Sequence, residues 1–312
     1  MTSSANEGRS AMPVVEVSHV THRYGRRIAL ADLDLAVPEG ALYALLGPNG
    51  SGKTTLLQLL MGLRRPAAGR ISVFGKERAA LTVADRAKIA YIAEGQRLPK
   101  WMRLEQLESY LAPLYAGWDP ALAASLRKRF ELDARQVVGT LSRGQQMKAA
   151  LLCALAPRPR LLLMDEPFTG MDALVKDELV RGLLDASGSE GWTVLLCSHD
   201  IGELEALADW VGFLDRGRIR LSETMESLRT RFKRVEIVAP SGSITARAEW
   251  LSVERAGQLT TFVLSHGGEL SLQADLLAFY PQATRIDVRD ATLREVFVAL
   301  ARHDADGREV AA

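Results

Sequence analysis

ALYALLGPNGSGKTTLLQLL, Ala41 to Leu60, joins two textures across one turn. Residues 41–46 are a continuous apolar run of strand length that ends at Gly47. Leu56, Leu57, Leu59, Leu60 and Leu63 then recur with the spacing of a buried helix, which Gly62 and Pro66 bring to an end. Between them Gly47, Gly52, Lys53 and Thr54 satisfy G-x-x-x-x-G-K-[ST]. In a strand, loop, helix context this pattern predicts a nucleoside triphosphate site, read here as ATP with Mg2+. The glycines let the backbone of Gly47, Pro48, Asn49, Gly50, Ser51, Gly52 and on to Thr55 curl around phosphates, while the helix aims its positive end at them. Lys53 would neutralise the β- and γ-phosphates, and the Thr54 hydroxyl would ligate Mg2+.

Outward from the loop, Leu161 to Met164 is a second apolar strand, ending in Asp165 and Glu166. A carboxylate there can hold a metal and a second can deprotonate water, so Asp165 is the expected Mg2+ partner and Glu166 the expected general base. Thr193 to Cys197 is a third strand, ending in Ser198-His199. Both strands present polar groups where open α/β sheets bind ligands. Segments 14–20 and 28–37 alternate as half-buried strands, 71–74 and 89–92 are short strands, and 104–114 and 119–130 are helical. After Leu221 the pattern resets: strands are expected near 234–238, 259–264 and 285–288, and helices near 270–280 and 292–301. The expected fold is α/β, with an antiparallel β subdomain, a helical subdomain over about 95–150 and a small C-terminal α+β domain. The expected division is a flexible tail over 1–12, a main domain over 13–221 and an accessory domain over 222–312.

At 312 residues, with 39 Lys plus Arg against 38 Asp plus Glu, the net charge of +1 offers no broad basic surface, and no nucleic-acid partner is expected. No apolar run reaches the length of a membrane span, the first dozen residues lack a signal-peptide core, and the two cysteines, Cys153 and Cys197, sit apart in apolar segments. A reduced, cytoplasmic setting is expected. His19 and His22 have no further ligands nearby and are not read as a metal site.

LSRGQQ, Leu141 to Gln146, starts with a serine able to cap a helix running through Cys153. The ordered set of phosphate loop, LSRGQ, LLLMDE and CSHD resembles the ATP-binding cassette (ABC) ATPases, over roughly residues 14–221. The resemblance implies a P-loop NTPase cassette that works as a head-to-tail dimer, either homodimer or heterodimer. Ser142, Gly144 and Gln145 of the signature would reach the nucleotide held by the partner's Lys53. His199 would contact the γ-phosphate, Asp172 would lie in the loop crossing the dimer interface, and Tyr24 would stack on adenine unless it is plain packing. The helical subdomain would dock on membrane permease subunits, with Leu98, Trp101, Met102 and Tyr110 as docking or core residues. The chain would then lie peripherally on the inner face of the cell membrane.

Two positions depart from the family pattern. Glu94 stands where glutamine usually touches Mg2+, with Gln96 two residues on, and Arg143 stands where glycine is commonest in the signature. A carboxylate at 94 would bind metal more tightly or repel phosphate. The leading expectation is the ATPase of a bacterial exporter for drugs, peptides, sodium or polysaccharides, because TLREVFVAL and the stretch GWDPALAASLRKRFELD resemble such cassettes. The alternatives are an importer ATPase with a C-terminal regulatory domain, and a soluble ABC ATPase acting on nucleic acid. The short stretch 95–141 disfavours the last, since those relatives insert long coiled coils there.

Overall fold

The computed structural model describes residues 13–172, 175–182, 191–202, 204–205, 208–240, 244, 247, 250–265 and 272–305. The expected tail over 1–12 lies outside them. A six-stranded sheet forms the centre, in the order β10-β9-β3-β8-β7-β6. Its strands are β3 (Leu42–Leu46), β6 (Ile89–Ile92), β7 (Leu161–Asp165), β8 (Thr193–Ser198), β9 (Trp210–Asp215) and β10 (Arg218–Thr224). All neighbours pair in parallel except β9 and β10, which form an antiparallel hairpin at one edge.

A parallel sheet covered on both faces needs strands that are apolar throughout. LYALL, LLLMD and TVLLCS meet that demand, and every residue of β3, β7 and β8 is buried. The two-residue period then sorts the side chains. Leu42, Ala44, Leu46, Leu162, Met164, Val194 and Leu196 enter one core, whereas Tyr43, Leu45, Leu161, Leu163, Leu195 and Cys197 enter the other.

The second core is closed by α1 (Lys53–Met61) and by an antiparallel sheet of β1 (Pro13–Tyr24), β2 (Arg27–Pro38), β4 (Ala68–Val73) and β5 (Lys76–Glu77), in the order β2-β1-β4-β5. The short α2 (Val83–Arg86) follows, with a Thr82–Asp85 capping box. On the other face lie α3 (Leu104–Leu111), α4 (Pro120–Arg129), α5 (Arg143–Leu155) and α6 (residues 175–182). The helix expected over 104–114 is α3 followed by a 3-10 turn, Ala112–Leu114, because Pro113 has no N–H to continue the ladder.

The chain then forms α7 (Met225–Arg231), β11 (Phe232–Val238), β12 (Trp250–Ala256), β13 (Leu259–Ser265), α8 (Leu272–Phe279), β14 (Arg285–Asp290) and α9 (Leu293–Ala305). The four strands make an antiparallel sheet, β12-β13-β11-β14, with a core in which Trp250 stacks on Phe262 at 3.6 Å. α9 turns back onto the main body. Its Leu293, Val296 and Leu300 belong to the same core as α5 and β7, and Phe297 packs on Phe213 with ring centroids 4.4 Å apart. Such an aromatic pair contributes about 0.5–1.5 kcal/mol beyond its burial. The Leu293 N–H donates to Glu205 Oε1 at 3.3 Å, so the main body also caps the start of α9.

Candidate nucleotide-binding site

The strand order β3-β8-β7-β6 places four C-terminal strand ends side by side: the glycine loop, Ser198-His199, Asp165-Glu166 and Glu94. The hairpin β9-β10, which the sequence pattern did not single out, supports the loop from the far side. A Cβ on Gly47 would stand 2.3 Å from the Leu214 carbonyl oxygen, and one on Gly52 would stand 2.7 Å from that of Ala29. Gly52 caps α1 at φ 117, a backbone that other residues rarely adopt. No side chain caps this helix, and no acidic residue lies in its first turn. Its N–H groups and positive end are therefore left to an anion.

Lys53 is buried. Its ammonium donates to the Gly47 carbonyl oxygen at 2.6 Å and to that of Pro48 at 3.3 Å, and it lies 3.3 Å from Glu166 Oε1 as an ion pair. The other Glu166 oxygen, Oε2, accepts from His199 Nδ1 at 2.7 Å and from the His199 backbone N–H at 3.3 Å. A carboxylate oxygen only accepts, so the histidine proton sits on Nδ1 and Nε2 is the second ring nitrogen. Glu166 itself has φ 47, a left-handed backbone unusual for its type and common where function constrains geometry. Lys53, Glu166 and His199 thus form one connected set drawn from three elements.

Asp165 is almost fully buried, and burial raises its pKa. A hydrogen bond from Thr54 opposes the rise, while Glu166 and Glu94 add to it through their charges. Asp165 Oδ1 and Ser51 Oγ are buried without a hydrogen-bond partner among the described residues. A buried carboxylate with an idle oxygen beside a threonine hydroxyl fits an octahedral, oxygen-seeking cation such as Mg2+. Glu94 lies on the rim of the same cavity, close enough to act on Asp165 by charge.

The cavity holds about 700 Å3 and is lined by Tyr24, Arg27, Ala29, Asn49, Gly50, Gly52, Lys53, Thr54, Thr55, Glu94, Glu166, Thr169 and His199. That size suits a nucleotide. Tyr24 stands at the end of β1, 40% exposed, with its hydroxyl 3.4 Å from Thr55 Oγ1. Arg27, Ala29 and Thr169 are the lining residues that motif reading missed: Arg27 opens β2 near Gly50, Ala29 follows on the same strand, and Thr169 follows the Asp165-Glu166 strand end. None of these positions carries a sequence pattern of its own.

Ser142, Gly144, Gln145 and Asp172 do not line this cavity. Ser142 is the N-cap of α5. Its Oγ accepts from the Gln145 N–H at 3.2 Å, and the Gln145 side-chain oxygen accepts from the Ser142 N–H at 3.0 Å. Gly144 is buried where a Cβ would stand 2.3 Å from Val175, and Asp172 caps the next helix through the Val175 N–H at 3.0 Å. Arg143 reaches over Gly170 and borders a separate cleft of about 520 Å3, which shares only Glu166 and Thr169 with the first. Among the helical-subdomain candidates, Leu98 and Met102 pack on the core, whereas Trp101 and Tyr110 are exposed. No helix among the described residues is long and apolar enough to cross a membrane.

A family profile described as "ABC transporter" matches residues 30–169. The chain is 36% identical over 219 residues to the sulfate/thiosulfate import ATP-binding protein CysA of Xanthomonas campestris pv. campestris, covering 67% of this chain and 64% of that one. It is 35% identical over 230 residues to the aliphatic sulfonates import ATP-binding protein SsuB of Albidiferax ferrireducens, covering 74% of this chain and 81% of that one. It therefore spans less than two thirds of the length of the sulfate/thiosulfate relative. A solved dimeric, post-hydrolysis ATP-binding cassette bound to ADP and Pi superposes with TM-score 0.58 at 26% identity, over 68% of this chain and 98% of the other.

Proposed function

The chain belongs to the ATP-binding proteins of ABC transporters, and from that premise we propose that it binds and hydrolyses ATP as the energising subunit of a membrane transporter. The observation that carries this reading is the connected set Lys53, Glu166 and His199 beneath the open start of α1. Residues 47–55 would hold the phosphates and Lys53 would exchange its carbonyl partners for them. Glu166 would take the proton from the attacking water, and His199 would orient it. Thr54 and Asp165, with Glu94 at the rim, would hold Mg2+, which when bound offsets phosphate charge.

In this reading the division is a cassette over 13–221 and an accessory unit over 222–312. Two chains, identical or not, meet head to tail so that Ser142, Gly144, Gln145 and Asp172 of one complete the site of the other. Membrane permease subunits would receive the exposed Trp101 and Tyr110, and the chain would then lie peripherally on the inner membrane face. Both of the curated relatives are import ATP-binding proteins by name, which supports import over the export direction that TLREVFVAL raised at first. The C-terminal domain would then be regulatory.

The test is Glu166→Gln. ATP affinity should hold, turnover should fall by about 10²–10⁴-fold, and size-exclusion chromatography should show an ATP-trapped dimer. Turnover close to that of the unaltered chain would remove Glu166 from the base role. Direction is tested by purifying the chain from native membranes: co-purification with permeases that also bind a periplasmic solute-binding protein supports import, and permeases without one support export.

A further inference from the structure

We propose that Arg64 is a positioning residue of the base-stacking platform: it backs the Tyr24 ring from outside the nucleotide cavity and ties that ring to the helix that binds the phosphates. The inference rests on the reading of Tyr24 as the residue that stacks on the base.

Gly62, at φ 76, ends α1 and turns the chain back across β1. The segment that follows is fastened there twice, by the Ala67 N–H donating to the Thr21 carbonyl oxygen at 2.8 Å and by His22 Nδ1 donating to that of Arg65 at 3.0 Å. Arg64 is thereby held against Tyr24, with its guanidinium carbon 4.6 Å from the ring centroid. Tyr24 lines the nucleotide cavity and Arg64 does not.

Gln58, on α1, closes the arrangement. Its Oε1 accepts from Arg64 Nε at 2.5 Å and from the Tyr24 hydroxyl at 3.4 Å. The His22 ring meets the Tyr24 ring edge-on, at 4.9 Å and 84°. A half-exposed tyrosine at a strand end would otherwise be free to change rotamer. Here one face of the ring and its hydroxyl are engaged and the His22 ring stands perpendicular against it, so little ordering remains for a base to impose. The cation draws electron density from the ring, which makes the opposite face a better partner for an electron-rich purine. Stacking of this kind tolerates either purine. Because Gln58 shares α1 with Lys53 and Thr54, platform and phosphate loop move as one piece.

The test compares full-length Arg64→Ala, Arg64→Lys, Tyr24→Ala and the Tyr24→Ala/Arg64→Ala double variant, titrated calorimetrically with ATP and with inorganic tripolyphosphate. Arg64→Ala should weaken ATP about two- to fivefold, the range of an exposed cation–π contact, and leave tripolyphosphate unchanged. Arg64→Lys should recover part of the loss, and Arg64→Ala should add nothing once Tyr24 is gone. Equal losses for both ligands, full additivity, or an unaffected Arg64→Ala beside a weakened Tyr24→Ala would each overturn the Arg64 role. If Tyr24→Ala itself leaves ATP affinity unchanged, the platform reading fails and takes this inference with it. Should Arg64→Ala not fold, Gln58→Ala releases the guanidinium instead, with the same loss expected for ATP alone and the same overturning results.

Discussion

Two helices of the cassette start beside a glycine, and their starts are opposites. α1 starts at Gly52 with no side-chain cap and no acid in its first turn, leaving its N–H groups to an incoming anion. α5 starts at Ser142 inside a complete capping box, so its own side chains already engage the Ser142 and Gln145 N–H groups. An open start attracts phosphate within a single chain. A capped one offers fewer free donors to an anion, and the Ser142 hydroxyl accepts from Gln145 and keeps its own proton to donate. In the proposed reading the difference would separate nucleotide capture, by one chain alone, from completion of the site by a second.

Ser142→Ala should break that comparison hardest. If Ser142 serves a partner's nucleotide, turnover should fall by about 10²–10³-fold while ATP affinity of the isolated subunit stays level, as radioactive turnover assays and calorimetry would show. Losing the cap should also cost about 1 kcal/mol of stability. Lys53→Ala acts on the open start and should weaken ATP binding about 10- to 100-fold by calorimetry, the worth of charge-assisted hydrogen bonds. ATP binding as tight as before would detach the phosphates from this loop.

The smallest effect concerns Asp165, whose burial raises its pKa. A raised folded pKa means that ionisation opposes folding, so metal-free stability is eroded as pH rises from the ordinary carboxylate range through the folded pKa. Asp165→Asn should therefore raise the melting temperature without Mg2+ at neutral pH, with the gain vanishing in acid, in pH-resolved scanning calorimetry. The same change should remove the Mg2+ dependence of ATP binding. An unchanged melting curve would separate Asp165 burial from any such cost.

The parts legible in the sequence were those in which chemistry and local structure share a few consecutive residues. Gly47 to Thr55 carries its own turn, helix start and charge, and Leu161 to Glu166 carries both strand and carboxylates. Arg27 and Arg64 were not legible, because each stands beside a residue brought near only by the fold, Gly50 and Tyr24 respectively. β12 was missed because Glu254 and Arg255 make a polar edge strand. The β9-β10 hairpin was missed although Asp215-Arg216-Gly217 is a turn signal, since the alternation Arg218-Ile219-Arg220-Leu221 after it is short and gives way to the polar Ser222-Glu223-Thr224.

α9 has a bearing on how the chain is made. Phe213 leaves the ribosome roughly eighty residues before the Phe297 that covers it. At about 5–20 residues per second, the apolar patch around Phe213 stays without α9 for about 4–16 s of synthesis. During that interval the nascent cassette carries every residue of its phosphate loop and still lacks the helix that shields this flank.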